Sequence, residues 1–241
     1  FNIDGIRLDA ADCLDLGFIS ELSTLCKKIK SDFWLMGEII HCDYSKWIRS
    51  GLDSVTNYEC YKGLWSSHND ANYFEIAYSL NRQFGDQGMY RSFLPYSFVD
   101  NHDVNRVASN LKKRIDLYPL YILLFTMPGI PSIYYGSEWG LEGKRTNQSD
   151  LTLRPSLEIN NLPQNATEPK LANTISYLAK IRHSSNPIKQ GTYQQIQVNS
   201  QQYVFLRKFN QEFVIVAVNS SNQKMNLEIT LSEKITRQIK D

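Results

Sequence analysis

Two hydrophobic periods alternate along the first two thirds of the chain. Short apolar runs, of which Ile3–Leu8 and Phe33–Met36 are the first two, have the length of buried strands, whereas apolar residues between Leu16 and Lys30 recur at helical spacing. The same pattern predicts further strands at Asp53–Tyr58, Tyr96–Val99 and Ile130–Tyr135, and further helices at Tyr44–Arg49, Asn72–Phe84, Ile115–Phe125 and Leu171–His183. Strands that alternate with helices are typical of a parallel α/β architecture.

The inward face of one predicted helix can be assigned from the spacing of its apolar residues. Within the helix that starts at Asn72, Ala77 and Tyr78 follow Phe74 by three and four positions, and Leu80 follows Ala77 by three. Residues at such spacing share one side of a helix. We therefore expect these four side chains to face the core.

The pattern changes after Gly191. Residues 193–198, 203–209, 212–219 and 224–229 alternate apolar and polar side chains, as antiparallel strands with one solvated face do. We therefore expect two domains. The first is an α/β domain over residues 1–187, and the second is a small antiparallel β domain of the sandwich type, cut short at its end, over residues 188–241. Five parallel strands by themselves fit a doubly wound sheet as well as a barrel.

The overall composition changes this picture little. With 26 basic and 25 acidic residues the formal net charge is +1. The sequence has no basic stripe with interleaved aromatic residues, so we do not expect binding to nucleic acid. The apolar stretch Leu117–Ile133 contains prolines, unlike a membrane span. Cys13, Cys26, Cys42 and Cys60 form no CxxC pair and have no His at ligand spacing. We therefore expect reduced cysteines, no metal and a cytoplasmic protein.

Three of the predicted strands end in acidic residues. Asp9 and Glu38 follow the first two strands, and Asp103 follows the fourth. The carboxyl ends of parallel strands lie on one edge of a sheet or barrel, where loops build the active site, so we expect the three acids to converge. A single acid at a strand end can also be a helix N-cap. Three of them, with Arg7 and His102 beside them, are hard to explain in that way.

Cleavage of a glycosidic bond requires two carboxyl groups in different protonation states. One carboxylic acid protonates the leaving oxygen, while the other, ionised, attacks the sugar or activates water. Arg7 lies on the same side of its strand as Asp9, so its charge can hold Asp9 ionised. Glu38 follows the apolar run Trp34–Gly37 and is better placed to keep its proton. The residues therefore indicate Asp9 as the ionised partner and Glu38 as the proton donor.

Four segments together resemble the α-amylase superfamily of glycoside hydrolases. Asp4–Ala11 is similar to the fourth-strand motif of that family, Gly37-Glu38 to the fifth-strand motif, Phe98–Asp103 to the seventh-strand motif and Pro128–Gly136 to the eighth strand. Four such segments in the family's order are very specific. The resemblance spans about residues 1–185 and implies that they form strands 4–8 of a TIM (β/α)8 barrel, followed by the family's C-terminal β domain.

The resemblance also implies a retaining mechanism. Asp9 would form a covalent glycosyl intermediate while Glu38 acts as acid and then as base, with the two carboxyl groups roughly 5–5.5 Å apart. Asp103 and His102 would hold hydroxyl groups of the sugar at the cleavage point. Hydrogen bonds that strengthen as the sugar ring flattens lower the barrier selectively.

Other segments of the chain refine the resemblance. Gly37–His41 and Leu52–Tyr58 look most like the neopullulanase and cyclomaltodextrinase branch, which cleaves α-1,4 bonds in maltodextrins, cyclodextrins or pullulan. Asp12-Cys13 replaces a Lys-His pair that is tied to calcium binding in many secreted members, so a calcium site is not expected. The family's first motif, an Asp–Asn–His run after strand three, is absent. The chain is therefore predicted to be a fragment, inactive alone and able to form a homo-oligomer through the open barrel edge.

Two further residues are candidates for contacts with an α-glucan oligosaccharide, the predicted partner. His41 follows Glu38, and Trp139 lies in the loop after the fifth strand, although a surface histidine and a loop anchor are the alternatives. His68 and His183 are interpreted as surface residues. No cofactor is expected. The acids do not distinguish a hydrolase from a transglycosylase or glucosyl isomerase with the same intermediate, and a non-catalytic half-barrel binding module is the third alternative.

Overall fold

The structure is a computed structural model that describes residues 2–158 and 166–229. Its strands are β1 (Gly5–Leu8), β2 (Trp34–Gly37), β3 (Ser54–Val55), β4 (Tyr96–Ser97), β5 (Ile130–Pro131), β6 (Thr192–Val198), β7 (Gln202–Phe209) and β8 (Glu212–Asn219). Its helices are α1 (Leu16–Ile29), α2 (Ser45–Arg49), α3 (Tyr58–Asn69), α4 (Phe74–Phe84), α5 (Val107–Asn110), α6 (Leu117–Thr126), α7 (Leu171–Ser184) and α8 (Asn186–Gln190). Short 3-10 turns lie at Ala11–Cys13, Arg114–Asp116, Ser137–Trp139 and Leu151–Leu153.

The first five strands run parallel and neighbour one another in sequence order. β1 pairs with β2 so that Ile6 lies opposite Leu35, and β2 pairs with β3. A single parallel bridge between Thr56 and Tyr96 continues the order to β4, which pairs with β5. The predicted parallel α/β arrangement is confirmed. Among the described residues, the outer edges of β1 and β5 pair with no other strand.

Helices cover the outer side of these strands and form the core with them. Helix α1 begins after Asp15, whose side chain accepts a hydrogen bond from Phe18 N at 2.9 Å, and it buries Ile19 against the sheet. Helix α6 has 10 residues, is nearly all apolar and is buried on most sides, as its composition requires. No helix in the described part of the chain combines the length and the hydropathy needed to cross a bilayer.

Helix α3 was missed by the sequence pattern. The predicted strand Asp53–Tyr58 is too long, because the strand ends at Val55 with one further bridge at Thr56, and Asn57 caps the new helix by accepting a hydrogen bond from Cys60 N at 3.2 Å. The buried face of α3 includes polar residues, so it shows little apolar periodicity.

His68, near the end of α3, is buried, and its assignment to the surface was wrong. Its Nδ1 lies 2.7 Å from Leu64 O and its Nε2 lies 3.0 Å from Tyr73 Oη. Both ring nitrogens therefore have partners inside the core, which is how a buried imidazole is tolerated. His183 is exposed, as predicted.

Helix α4 differs in phase from the prediction. Ala77 and Leu80 face the core, but Phe74 is 50% exposed and Tyr78 is 70% exposed. The buried face is instead completed by Ile76, together with Gln83 and Phe84 further along the helix. The predicted strand Ile130–Tyr135 is likewise shorter, because only its first two residues pair with β4.

The last three strands form an antiparallel sheet with a bulge between Gln195 and Gln197. The sheet packs against the preceding helices, and Arg207 Nη1 donates to Thr126 O at the end of α6 over 2.6 Å. The predicted fourth strand at Lys224–Ile229 is wrong, since these residues form no strand pairing. The remainder of the predicted second domain, residues 230–241, lies outside the described residues, and the division at residue 187 stays a prediction.

Candidate active site

The site begins where β1 and β2 end side by side. Main-chain pairing continues past both strands, because Glu38 N donates to Leu8 O and Ala11 N donates to Glu38 O, each over 2.9 Å. Gly37 leaves room for the side chains packed on this strand end, since a Cβ there would lie 2.5 Å from Leu52 Cδ1 and 3.0 Å from Ala11 Cβ. The residue after each strand is an acid, so Asp9 and Glu38 project from neighbouring strand ends.

One guanidinium group holds both acids. Arg7 Nη1 lies 2.7 Å from Asp9 Oδ1, and Arg7 Nη2 lies 2.9 Å from Glu38 Oε2. Ala10 N also donates to Glu38 Oε2, over 3.2 Å. The hydrogen bond and charge of Arg7 lower the pKa of Asp9 below its ordinary value. Asp9 is therefore a carboxylate across the neutral pH range.

The difference between the two acids is in their burial. The Asp9 side chain is 78% exposed, whereas the Glu38 side chain is 10% exposed. The expected Arg7–Asp9 pair is present, but Arg7 contacts Glu38 as well, which the pattern of β1 alone did not indicate. Arg7 by itself therefore does not distinguish the acids, and their unequal access to water does.

The third acid lies on the loop that follows β4. His102 Nε2 is 3.0 Å from Asp103 Oδ2, so the two candidate sugar ligands contact each other. Asn101 Oδ1 accepts hydrogen bonds from the backbone nitrogens of Asp103 and Val104 at 2.8 and 3.2 Å, and this turn fixes the direction of the Asp103 side chain. Asn101 is therefore a support of the loop.

Arg154 is a site residue that sequence reasoning missed. Its Nη2 lies 3.1 Å from Asp103 Oδ1 and its Nε donates to His102 O over 3.2 Å. Asp150 Oδ2, at 3.1 Å, is a second partner of the same Nη2. Arg154 follows a 3-10 turn in a long loop, and no local signal in the sequence places that loop beside Asp103.

One of the three acids, Glu38, opens onto a concave cavity of about 210 Å³, whereas Asp9 and Asp103 are not among the residues that line it. It is lined by Arg7, Glu38 and His102 from the site and by Met36, Thr56, Tyr96, Phe98, Asp100, Asn101, Ser132, Ile133 and Tyr134. Neither His41 nor Trp139 is among its lining residues, and His41 is exposed. Their predicted contact with substrate stays a prediction.

The site has no arrangement of metal ligands. Within residues 2–158 and 166–229, no group of three His, Cys, Asp or Glu side chains is placed to hold a metal ion. The carboxyl groups of the acids are instead contacted by arginine, with Arg7 on two of them and Arg154 on the third. Such an arrangement can bind hydroxyl groups and exchange protons with them.

A parallel α/β fold with carboxyl groups at its strand ends is typical of enzymes that build their active site at that edge of the sheet or barrel. Residues 2–212 match the family model of the alpha-amylase catalytic domain, and the chain belongs to that family. A cyclomaltodextrinase from a Bacillus species is 26% identical over 226 residues, which are 90% of this chain and 39% of that protein. The predicted family and its cyclomaltodextrinase-like branch are confirmed.

Other comparisons extend the same result. A cyclomaltodextrin glucanotransferase from Niallia circulans is 27% identical over 227 residues, which are 90% of this chain and 30% of that protein. The crystal structure of an Anoxybacillus alpha-amylase aligns with a TM-score of 0.80 at 24% identity and covers 92% of this chain and 49% of that chain. The chain therefore has the TIM-barrel fold of the α-amylases over about half the length of such a structure, and it spans less than half of these relatives.

Proposed function

We propose that the protein containing this chain is a retaining glycoside hydrolase that cleaves α-1,4-glucosidic bonds of maltodextrins, cyclodextrins or related α-glucans. The observation that carries the proposal is the pairing of Asp9 and Glu38 on the two terminal nitrogens of Arg7. Retaining cleavage needs two carboxyl groups at one sugar, of which one attacks and the other supplies a proton. The cyclomaltodextrinase relative supports α-glucans as the substrate class.

We assign the two acids different catalytic roles. Asp9 is ionised and open to solvent, so it can attack the anomeric carbon and form the glycosyl intermediate. We assign the buried Glu38 the acid/base role, in which it gives a proton to the leaving oxygen and its carboxylate then takes a proton from the incoming water. Asp103 and His102 are placed to hold sugar hydroxyls, and Arg154 fixes Asp103 from behind.

We further propose that the chain supplies strands 4–8 of an eight-stranded barrel and is inactive alone. The outer edges of β1 and β5 pair with no strand of the described residues, and a barrel closes only when all its strands are paired. Asp9 lies beside the unpaired edge of β1, which explains its high exposure. A cleft without walls on that side neither excludes water nor positions a sugar.

The test is turnover of maltotriose and β-cyclodextrin by the natural protein that contains these residues. The first product should keep the α configuration at its anomeric carbon when followed by NMR. Glu38→Gln and Asp9→Asn should each lower kcat about 10²- to 10⁴-fold, while Asp12→Asn, a change of an exposed acid nearby, should have little effect. A product of inverted configuration, or full activity of Glu38→Gln, would contradict the proposal.

A transglycosylase or glucosyl isomerase is the second candidate, and the glucanotransferase relative favours it specifically. Such an enzyme uses the same covalent intermediate but passes the glycosyl group to a sugar hydroxyl. Chromatography of the maltotriose products separates the two activities. Glucose and maltose without matching longer sugars indicate hydrolysis, whereas longer sugars formed in equal amount with the shorter sugars that leave, or isomerised sugars, would replace the hydrolase proposal by this second one.

A further inference from the structure

Four buried polar atoms without a hydrogen-bond partner among the described residues lie beneath the loop that carries His102 and Asp103. They are Asp100 Oδ1, Arg106 Nε, Tyr121 Oη and Glu138 Oε2. Asp100, Arg106 and Tyr121 are at most 1% exposed. Only one other buried side-chain atom in the described ranges, Trp65 Nε1, shares this condition. The four atoms therefore account for most of the buried side-chain polar atoms that lack a hydrogen-bond partner in the described ranges.

Direct bonds and charges join these four residues into one cluster. Arg106 Nη1 donates to Ser137 Oγ over 3.1 Å, and Ser137 Oγ donates to Asp100 Oδ2 over 2.8 Å. Glu138 is the next residue after Ser137, and the charge of Arg106 acts on both the Asp100 and Glu138 carboxyl groups. The hydroxyl of Tyr121, on α6, lies within the field of all three charged groups.

An unsatisfied buried polar group destabilises a folded protein, and native structures contain few of them. The chemistry of these four atoms matches one kind of small ligand. Arg106 Nε is a donor, Asp100 Oδ1 and Glu138 Oε2 are acceptors when ionised, and Tyr121 Oη can be either. A buried water molecule makes about three such bonds and accepts and donates at once.

We propose that this cluster is an internal hydration site, in which at least one ordered water molecule bridges Asp100, Arg106, Tyr121 and Glu138. The site would act as a positioning device for the loop with His102 and Asp103. It lies where that loop is tied to the rest of the molecule, so the bridging water completes the attachment of the loop.

Two residues of the cluster, Asp100 and Arg106, attach the loop with His102 and Asp103 to the rest of the molecule. Asp100 Oδ2 accepts from Val107 N over 2.8 Å, which anchors the far end of the loop. Arg106 donates to Tyr135 O at 2.6 Å and to Leu153 O at 2.7 Å. Leu153 directly precedes Arg154, the partner of Asp103. The meaning of this positioning rests on the proposed function, but the hydration site itself does not.

The first test is the sign of the stability change in Tyr121→Phe, measured by urea unfolding of the chain. If Tyr121 Oη bonds to water, its removal should raise the unfolding equilibrium constant about 2- to 12-fold. If the site is dry, removal of an unsatisfied hydroxyl should leave that constant unchanged or lower it, and the proposal is then overturned. Tyr177→Phe, at a tyrosine that is 65% exposed on α7, is the matched control and should be neutral.

A second measurement does not depend on the folding or stability of that variant. A crystal structure of the chain, or of the protein containing it, should show a water molecule within about 3.2 Å of at least three of the four atoms. Direct pairing of Glu138 Oε2 with Arg106 Nε and no water would overturn the hydration site. Neither the unfolding experiment nor the crystal structure requires turnover. A failure of the hydration site is therefore distinguishable from a failure of the proposed function.

Hydrogen exchange of Tyr121→Phe tests the positioning role separately from general stability. Loss of the water bridge should accelerate exchange of the Asp103 and Val104 amides, which are otherwise bonded to Asn101 Oδ1, relative to amides in α1. A uniform acceleration over the chain would show only lower stability and would overturn the positioning role.

Discussion

Arg7 Nη2 lies 2.9 Å from Glu38 Oε2, so the arginine that the sequence pairs with Asp9 also supports the buried acid. The guanidinium is a planar fork that stays charged at all accessible pH values and can serve two carboxylates at once. Lysine has a single terminal nitrogen and cannot give each acid a nitrogen of its own. The pKa of Asp9 and a direct contact of Glu38 therefore both depend on one side chain at the end of β1.

Replacement of Arg7 by Gln should raise the pKa of Asp9. The pKa of Asp9 is lowered first by the hydrogen bond from Arg7 and then by its charge, so in Arg7→Gln it should rise toward the ordinary value of about 3.9. Carboxyl ¹³C NMR of the chain as a function of pH measures this change. Lys27→Gln removes a different ion pair, with Asp53, and should leave the titration of Asp9 as it was. An unchanged Asp9 in Arg7→Gln would show that another group sets its pKa.

Arg154 should affect turnover through the orientation of Asp103. Arg154→Met removes the contacts to Asp103 Oδ1 and His102 O, and a displacement of an active-site group by about 1 Å can lower the rate on the order of 10²-fold. Steady-state kinetics of the active protein on maltotriose measure this effect. Asp150→Asn leaves both contacts in place and is the control. Equal losses in the two variants would show that the loop, rather than the contact with Asp103, had been damaged.

His68 should make the fold less stable in acid. Burial lowers the pKa of His68 to about 4, whereas an unfolded histidine has about 6.5. Between these two values the unfolded chain binds more protons, so the free energy of unfolding falls as the pH falls from about 6.5 toward 4, by up to about 3 kcal/mol. Urea unfolding at several pH values, in comparison with His68→Gln, isolates this contribution. A wild-type minus variant difference that stays constant across the window would contradict a neutral buried His68.

Asp100 should contribute with the opposite sign in nearly the same window. Burial raises the pKa of Asp100 to about 6, above the unfolded value of about 3.9. The folded chain then binds more protons between pH 3.9 and 6, so the free energy of unfolding falls as the pH rises through that interval, by up to about 3 kcal/mol. Asp100→Asn keeps an oxygen for the Val107 N–H and should remove this dependence. If the variant retains it, a different group titrates there.

The positions of the acids could be predicted from the sequence because one geometric rule governs them. Parallel strands end at a common edge, so strand-end residues such as Asp9 and Glu38 must meet there whatever the helices do. The position of Arg154 depends instead on the path of a long loop, and a local pattern does not determine such a path.

Two errors in the predicted elements have a similar cause. Helix α3 buries Ser66, which donates to Glu75 Oε2 over 2.7 Å, so tertiary hydrogen bonds replace the apolar periodicity that identifies a helix. Phe74 and Tyr78 on α4 share one face, but that face is exposed, because Ile76 and Leu80 occupy the interface with α3 and the sheet. Apolar spacing indicates a helix without determining which apolar side the neighbours cover.

Self-association of the chain is expected through the edge of β1 and through the exposed apolar residues of α1. The outer edge of β1 pairs with no strand among residues 2–158 and 166–229, and Phe18, Leu25 and Ile29 on α1 are 52, 57 and 79% exposed. An open strand edge and an exposed apolar surface each favour association with another chain. Light scattering should therefore give a mass above that of a monomer, and Leu25→Lys with Ile29→Lys should shift the chain toward the monomer. Met225→Lys, which changes a residue 50% exposed elsewhere, should not. A monomeric wild-type chain at high concentration would contradict the expected self-association. An oligomer that the α1 substitutions do not weaken would place the contact elsewhere on the chain.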